Sequence, residues 1–127
     1  MSTTLGLRLA ALWNLLAGAG ALLMTDVNLK LFFTLESPQP PAVMVLFYSL
    51  WVTALSMGVA YGIAAESARF RDGILIVGAI GKTSVFFLWT AAFLMGSGAP
   101  LLLVGAIGDL LWAAYFVWVL RSDVRAR

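Results

Sequence analysis

Long apolar runs alternate with short polar breaks along the whole chain, and four of the runs have the length of a membrane-crossing helix. A hydrocarbon core about 30 Å thick needs about 20 helical residues. Leu5–Met24, Ala42–Ala65, Gly73–Met95 and Pro100–Leu120 each supply that length. The pattern predicts an all-α membrane protein of one domain, with four antiparallel transmembrane helices in a bundle. Ser37-Pro38-Gln39-Pro40-Pro41 is a rigid break ahead of the second span, because proline fixes its own φ and biases its predecessor away from helix. Gly96-Ser97-Gly98-Ala99-Pro100 predicts a tight hairpin between spans three and four. Val27–Leu35, apolar with one lysine, reads as a short interfacial helix or re-entrant piece after the first span. The first span lacks the strongly basic start of a signal peptide and is expected to be retained.

Composition strengthens this reading. The chain is 62% hydrophobic and 11% charged, with a mean hydropathy of +0.98. A soluble domain of 127 residues could not bury so much apolar surface, so the lipid bilayer is its expected solvent and first partner. With neither cysteine nor histidine, the chain has no thiolate nucleophile, disulfide, imidazole metal ligand or Ser-His-Asp triad. No cofactor or metal is expected, and a scattered net charge of +2 gives no footprint for nucleic acid.

The charges that exist sort by side. Arg8, Arg69, Arg71, Arg121, Arg125 and Arg127 share the side of the termini and the loop between spans two and three; Lys30 stands opposite. The positive-inside rule puts both termini in the cytoplasm, as for a multi-pass protein of a bacterial inner membrane.

Two charges escape this sorting. Lys82 and Asp109 lie inside spans three and four, eleven residues beyond Arg71 and twelve before Arg121. At about 1.5 Å per residue, both sit roughly 16–18 Å from their arginines. Equal depth on helices joined by a tight hairpin suits an ion pair, and pairing offsets an insertion cost of about 2.5–3.5 kcal/mol per charge. Gly78, Lys82, Phe86 and Trp89 form one stripe; Gly105, Asp109, Ala113 and Phe116 form another, with Trp112 beside it. Three readings stand: a staple fixing helix register, a cavity lining that carries a proton, ion or polar ligand group, or a snorkelling lysine beside a neutral carboxyl.

Asn14 in span one and Ser56 in span two complete the candidate pathway of Lys82, Asp109, Asn14, Trp89, Trp112 and Ser56. Each has a plainer reading, interhelical bonding for the polar groups and core packing for the tryptophans, Trp13 included. Thr53, Thr83 and Ser84 lie at similar depth. Phe47, Tyr48, Trp51, Tyr115 and Trp118 fit interfacial belts. A small-residue ridge, Ala54, Gly58 and Gly62, suits close helix contact within the bundle or with a membrane-protein partner or second copy. Gly78–Thr83 imitates the end of a phosphate-binding loop, but Ile76 stands where glycine is required and no strand precedes it. The pentapeptide VGAIG occurs at 77–81 and 104–108 on opposed helices, which implies no duplication.

Arg8–Asn14, Gly58-x2-Tyr61-Gly62 ahead of Arg69 and Arg71, Gly78-x2-Gly81-Lys82 and Gly108-Asp109 together resemble small uncharacterised bacterial four-helix membrane proteins of the DoxX-like kind. That resemblance implies a four-span layout and a connection with quinone or redox chemistry; it carries over no site residue. The small multidrug exporter plan is also similar in length and span number, but such exporters place an acidic residue where this chain has Asn14. The expected function is therefore a non-catalytic membrane protein, an accessory subunit or binder of a small apolar ligand. A small proton-coupled transporter using Asp109 comes second, and a membrane-embedded enzyme third.

Overall fold

The computed structural model describes the backbone of residues 2–125 and the side chains of residues 2–122. Arg127 and the Arg125 side chain, both counted in the charge sorting, lie outside the described residues. Five helices follow one another: α1 (Thr3–Leu23), α2 (Thr25–Phe33), α3 (Pro41–Glu66), α4 (Ala68–Leu94) and α5 (Pro100–Arg125). All but α2 are long and apolar enough to cross a membrane. The predicted spans are recovered, with one change at the junction of spans two and three. Ser67 is the single residue between α3 and α4, so Arg69 and Arg71 belong to the first turns of α4 rather than to a loop.

Local chemistry sets the helix ends. The Ser2 side chain accepts from the Leu5 N–H and caps α1. Pro41 opens α3 at a position where its missing N–H costs nothing. Gly96 takes a φ of +76° in the α4–α5 hairpin, a conformation open to glycine. The Val27–Leu35 segment is helical as α2, and Thr34 at its C-cap has φ 54°. The Ala99 N–H donates to the Phe32 carbonyl at 2.9 Å, which ties the end of α2 to the α4–α5 hairpin.

Packing follows two pairs. α1 lies along α3 and α4 along α5, and a shorter α3–α4 seam joins them. The ridge works inside the bundle at Gly58, where an added Cβ would stand 2.8 Å from Leu15 Cγ; at Gly62 it would meet nothing within 4 Å. α1 and α5 share no comparable seam, and α2 touches both across the gap.

The interior has two apolar clusters. Toward the end that carries the N-terminus, Leu7, Ala10, Tyr61, Ala64, Leu75, Phe116 and Val119 pack together. Arg71 Nε donates to the Ala64 carbonyl and the Tyr115 hydroxyl to the Thr3 carbonyl there. Arg8 and Glu66 form an exposed ion pair at 2.8 Å, which contributes little. Toward the hairpin end, Ala21, Leu29, Phe47 and Trp51 form a smaller cluster that includes Trp89 at its edge. Phe47 and Trp51, expected in an interfacial belt, are buried here; Tyr48 and Trp118 are exposed.

Candidate functional site

Lys82 and Asp109 lie between the two clusters, each seven residues from a packed position on either side of its own helix. Lys82 is 4% exposed. Its Nζ stands 2.5 Å from Asp109 Oδ1 and donates to Asn14 Oδ1 at 2.8 Å. Asn14 is oriented from its other end, where Nδ2 donates to the Ala54 carbonyl of α3 at 3.1 Å. The ammonium also faces the Tyr61 ring, 5.9 Å from its centroid, within cation–π range. Tyr61 reaches this place because Gly78 leaves room: a Cβ there would stand 2.6 Å from the tyrosine hydroxyl oxygen. Lysine is thus held by an anion, an amide oxygen and a ring, drawn from α5, α1 and α3.

Asp109 is held less completely. Its Oδ1 accepts from Lys82 and, at 3.3 Å, from Trp13 Nε1. Its Oδ2 takes no hydrogen bond from any described residue, and its side chain is 15% exposed against 5% for Lys82. The Trp13 ring lies close against α5 beside it, since a Cβ at Gly108 would fall 2.6 Å from Trp13 Cζ2.

Asp109 and Asn14 border a cavity of about 540 Å³ on the hairpin side of the pair. That is the size of a small-molecule site, typically about 300–1,000 Å³. Its walls are aromatic, with Trp13, Trp51, Trp89 and Phe32, and α2 closes the far end with Asn28 and Phe32. Trp51 and Trp89 rings meet at 6.0 Å, Phe32 and Trp89 at 6.5 Å. Along α5 the cavity runs from Leu101 to Asp109, about 12 Å at 1.5 Å per residue. Two polar atoms in its lining residues, Asn28 Oδ1 and Trp51 Nε1, are buried without a partner among the described residues. Burying such a group unpaired costs about 1–3 kcal/mol.

The candidate residues therefore divide. Lys82, Asp109 and Asn14 meet, and Trp89 lines the adjoining cavity. Ser56 does not join them: it is exposed on α3, and its hydroxyl donates to the Val52 carbonyl of its own helix at 2.9 Å. Two residues from buried Gly58, it points some 200° away from the core face. Trp112 packs with Tyr115 and Phe116 against the cluster near the termini, one turn past Asp109 and away from the cavity. Thr53 and Ser84 likewise bond carbonyls of their own helices. Trp13 as a direct partner of Asp109, Tyr61 under the lysine and Asn28 at the far end were not among the candidates. The available signal for Trp13 was Gly108, a gap for a ring immediately before the aspartate.

Among the described residues no group of acidic side chains is placed to hold a metal. No family model, curated protein or solved structure matches this chain.

Proposed function

We propose that this is a non-catalytic protein of a bacterial inner membrane, both termini cytoplasmic, that holds a small apolar, ring-bearing ligand above the Lys82–Asp109 pair. One observation carries the reading: the buried ion pair borders an aromatic-walled cavity of ligand size. A staple for helix register needs a closed contact and well-packed neighbours. Here the contact is closed, but one side of it is hollow, and a cavity forfeits dispersion contacts that packing would supply. The unpartnered Asn28 and Trp51 atoms add a second reason for an occupant. The arginines gathered at the end with the N-terminus support the orientation.

This reading accommodates an accessory role, in which the bound molecule is passed to a partner membrane protein or a second copy. The resemblance to DoxX-like proteins remains part of the proposal as kinship in layout. A proton-coupled transport reading draws on the same Asp109, whose carboxylate borders the cavity. The apolar walls favour a lipophilic ligand over a hydrated cation.

Gly20 offers the test. It lines the cavity, and a Cβ there meets nothing within 4 Å, so Gly20→Leu fills space without a clash at the backbone. In lipid nanodiscs, 1-naphthol should raise the melting temperature of the native protein by selective binding to the folded state. The Gly20→Leu variant should fold and show no such rise. An unshifted native protein, or equal shifts in both, would refute the cavity as a ligand site.

A further inference from the structure

We infer that the ligand is a neutral, lipid-dissolved aromatic alcohol that enters sideways between α1 and α5 and donates a hydrogen bond from its hydroxyl to the Asp109 carboxylate. The inference rests on the cavity reading above and specifies its ligand class and route.

The route follows from the packing. α1 and α5 are the neighbouring spans without a close seam, and α2 bridges them only toward the hairpin end. Four lining residues on these helices are also strongly exposed: Leu16 by 64%, Val104 by 60%, Trp13 by 40% and Leu101 by 39%. A residue that lines a cavity and is open to the outside marks its mouth. At this depth the outside of a spanning helix is lipid, so the mouth opens into the bilayer. α1 and α3 seal the opposite side by close packing, as Gly58 against Leu15 shows.

The ligand class follows from what the cavity presents. Lys82 and Asp109 cancel each other's charge, so a charged guest would add an uncompensated ion to a low-dielectric site. The walls present tryptophan and phenylalanine faces, which suit a planar ring. Beside the ion pair the acceptor left over is Asp109 Oδ2, to which no described residue donates; Asn28 Oδ1 and Trp51 Nε1 are the other unpartnered polar atoms of the lining residues. The carboxylate's contact with Trp13 is long at 3.3 Å, against about 2.9–3.0 Å for an ordinary N–H···O bond. A hydroxyl donating to a carboxylate makes a shorter and stronger bond than an indole does. Trp13 sits at the mouth against Gly108 and narrows the entrance.

Two measurements on nanodisc-embedded protein test this. The first is equilibrium dialysis of 1-naphthol, naphthalene and 1-naphthoate against empty discs. The alcohol should bind about tenfold more tightly than the hydrocarbon, the worth of one charge-assisted hydrogen bond. The carboxylate should not bind. Lys82→Met/Asp109→Leu, which removes both charges together, should retain the hydrocarbon and lose the preference for the alcohol. The second is stopped-flow quenching of tryptophan emission by 1-naphthol. Leu16→Trp, which narrows the mouth, should slow association by about tenfold. Equal binding of alcohol and hydrocarbon would overturn the hydroxyl recognition while leaving the cavity reading intact. Rates unmoved by Leu16→Trp would overturn the lateral entrance in the same way. If none of the three compounds bound, the inference and the cavity reading would fall together.

Discussion

The two ends of this bundle are built from similar residues and packed in opposite ways. Near the N-terminus, Leu7, Tyr61, Leu75, Phe116 and Val119 are all at most 1% exposed and interlock across four helices. Toward the hairpin, Trp13, Trp51, Trp89 and Phe32 stand around empty space. The Lys82–Asp109–Asn14 layer divides them. Overall hydrophobicity does not separate the ends, because both are apolar. The difference lies in how close the backbones come: α1 and α5 share no close seam, and α2 rather than another spanning helix touches both. A charge pair beneath a hollow is costly to keep for stability, which is why the cavity, not the pair, carries the functional reading.

Substitutions can break or sharpen this contrast. The largest effect is expected from stranding one charge. Lys82→Met or Asp109→Leu should each cost about 3–5 kcal/mol in a detergent unfolding titration, with most of the loss recovered in the double variant. Next comes truncation in the packed end: Leu7→Ala should cost about 2–5 kcal/mol. Leu16→Ala, at the open mouth, should cost well under half of that in the same assay.

A matched glycine pair makes a finer test. Gly78→Ala drives a Cβ to 2.6 Å from the Tyr61 hydroxyl and should destabilise by about 1–3 kcal/mol. Gly20→Ala meets open space and should stabilise by up to about 1 kcal/mol through helix propensity. The smallest change is expected at Ser56→Ala, within about 0.5 kcal/mol by thermal melt and with naphthol binding intact.

Much of this was legible in the residues. Span length fixed the four helices, and equal depth from Arg71 and Arg121 placed Lys82 opposite Asp109. The glycine stripes on spans three and four marked the faces that meet. Depth without angular phase misled at Ser56, which shares the level of the pair but points outward. Trp112 shares the face but lies a turn too near the packed end. The hollow itself had no local signal, because it arises from two helices far apart in the chain failing to pack. Trp51 read as a belt residue for the same reason: α2 folds back over that end and buries it.

The most direct test of the central claim is native mass spectrometry of the protein released from a mild detergent, beside the Gly20→Leu variant. Native protein is expected to carry one low-mass lipophilic adduct per chain, absent from the variant whose cavity is filled. No adduct on the native chain, or the same adduct on both, would contradict a ligand site at the Lys82–Asp109 layer.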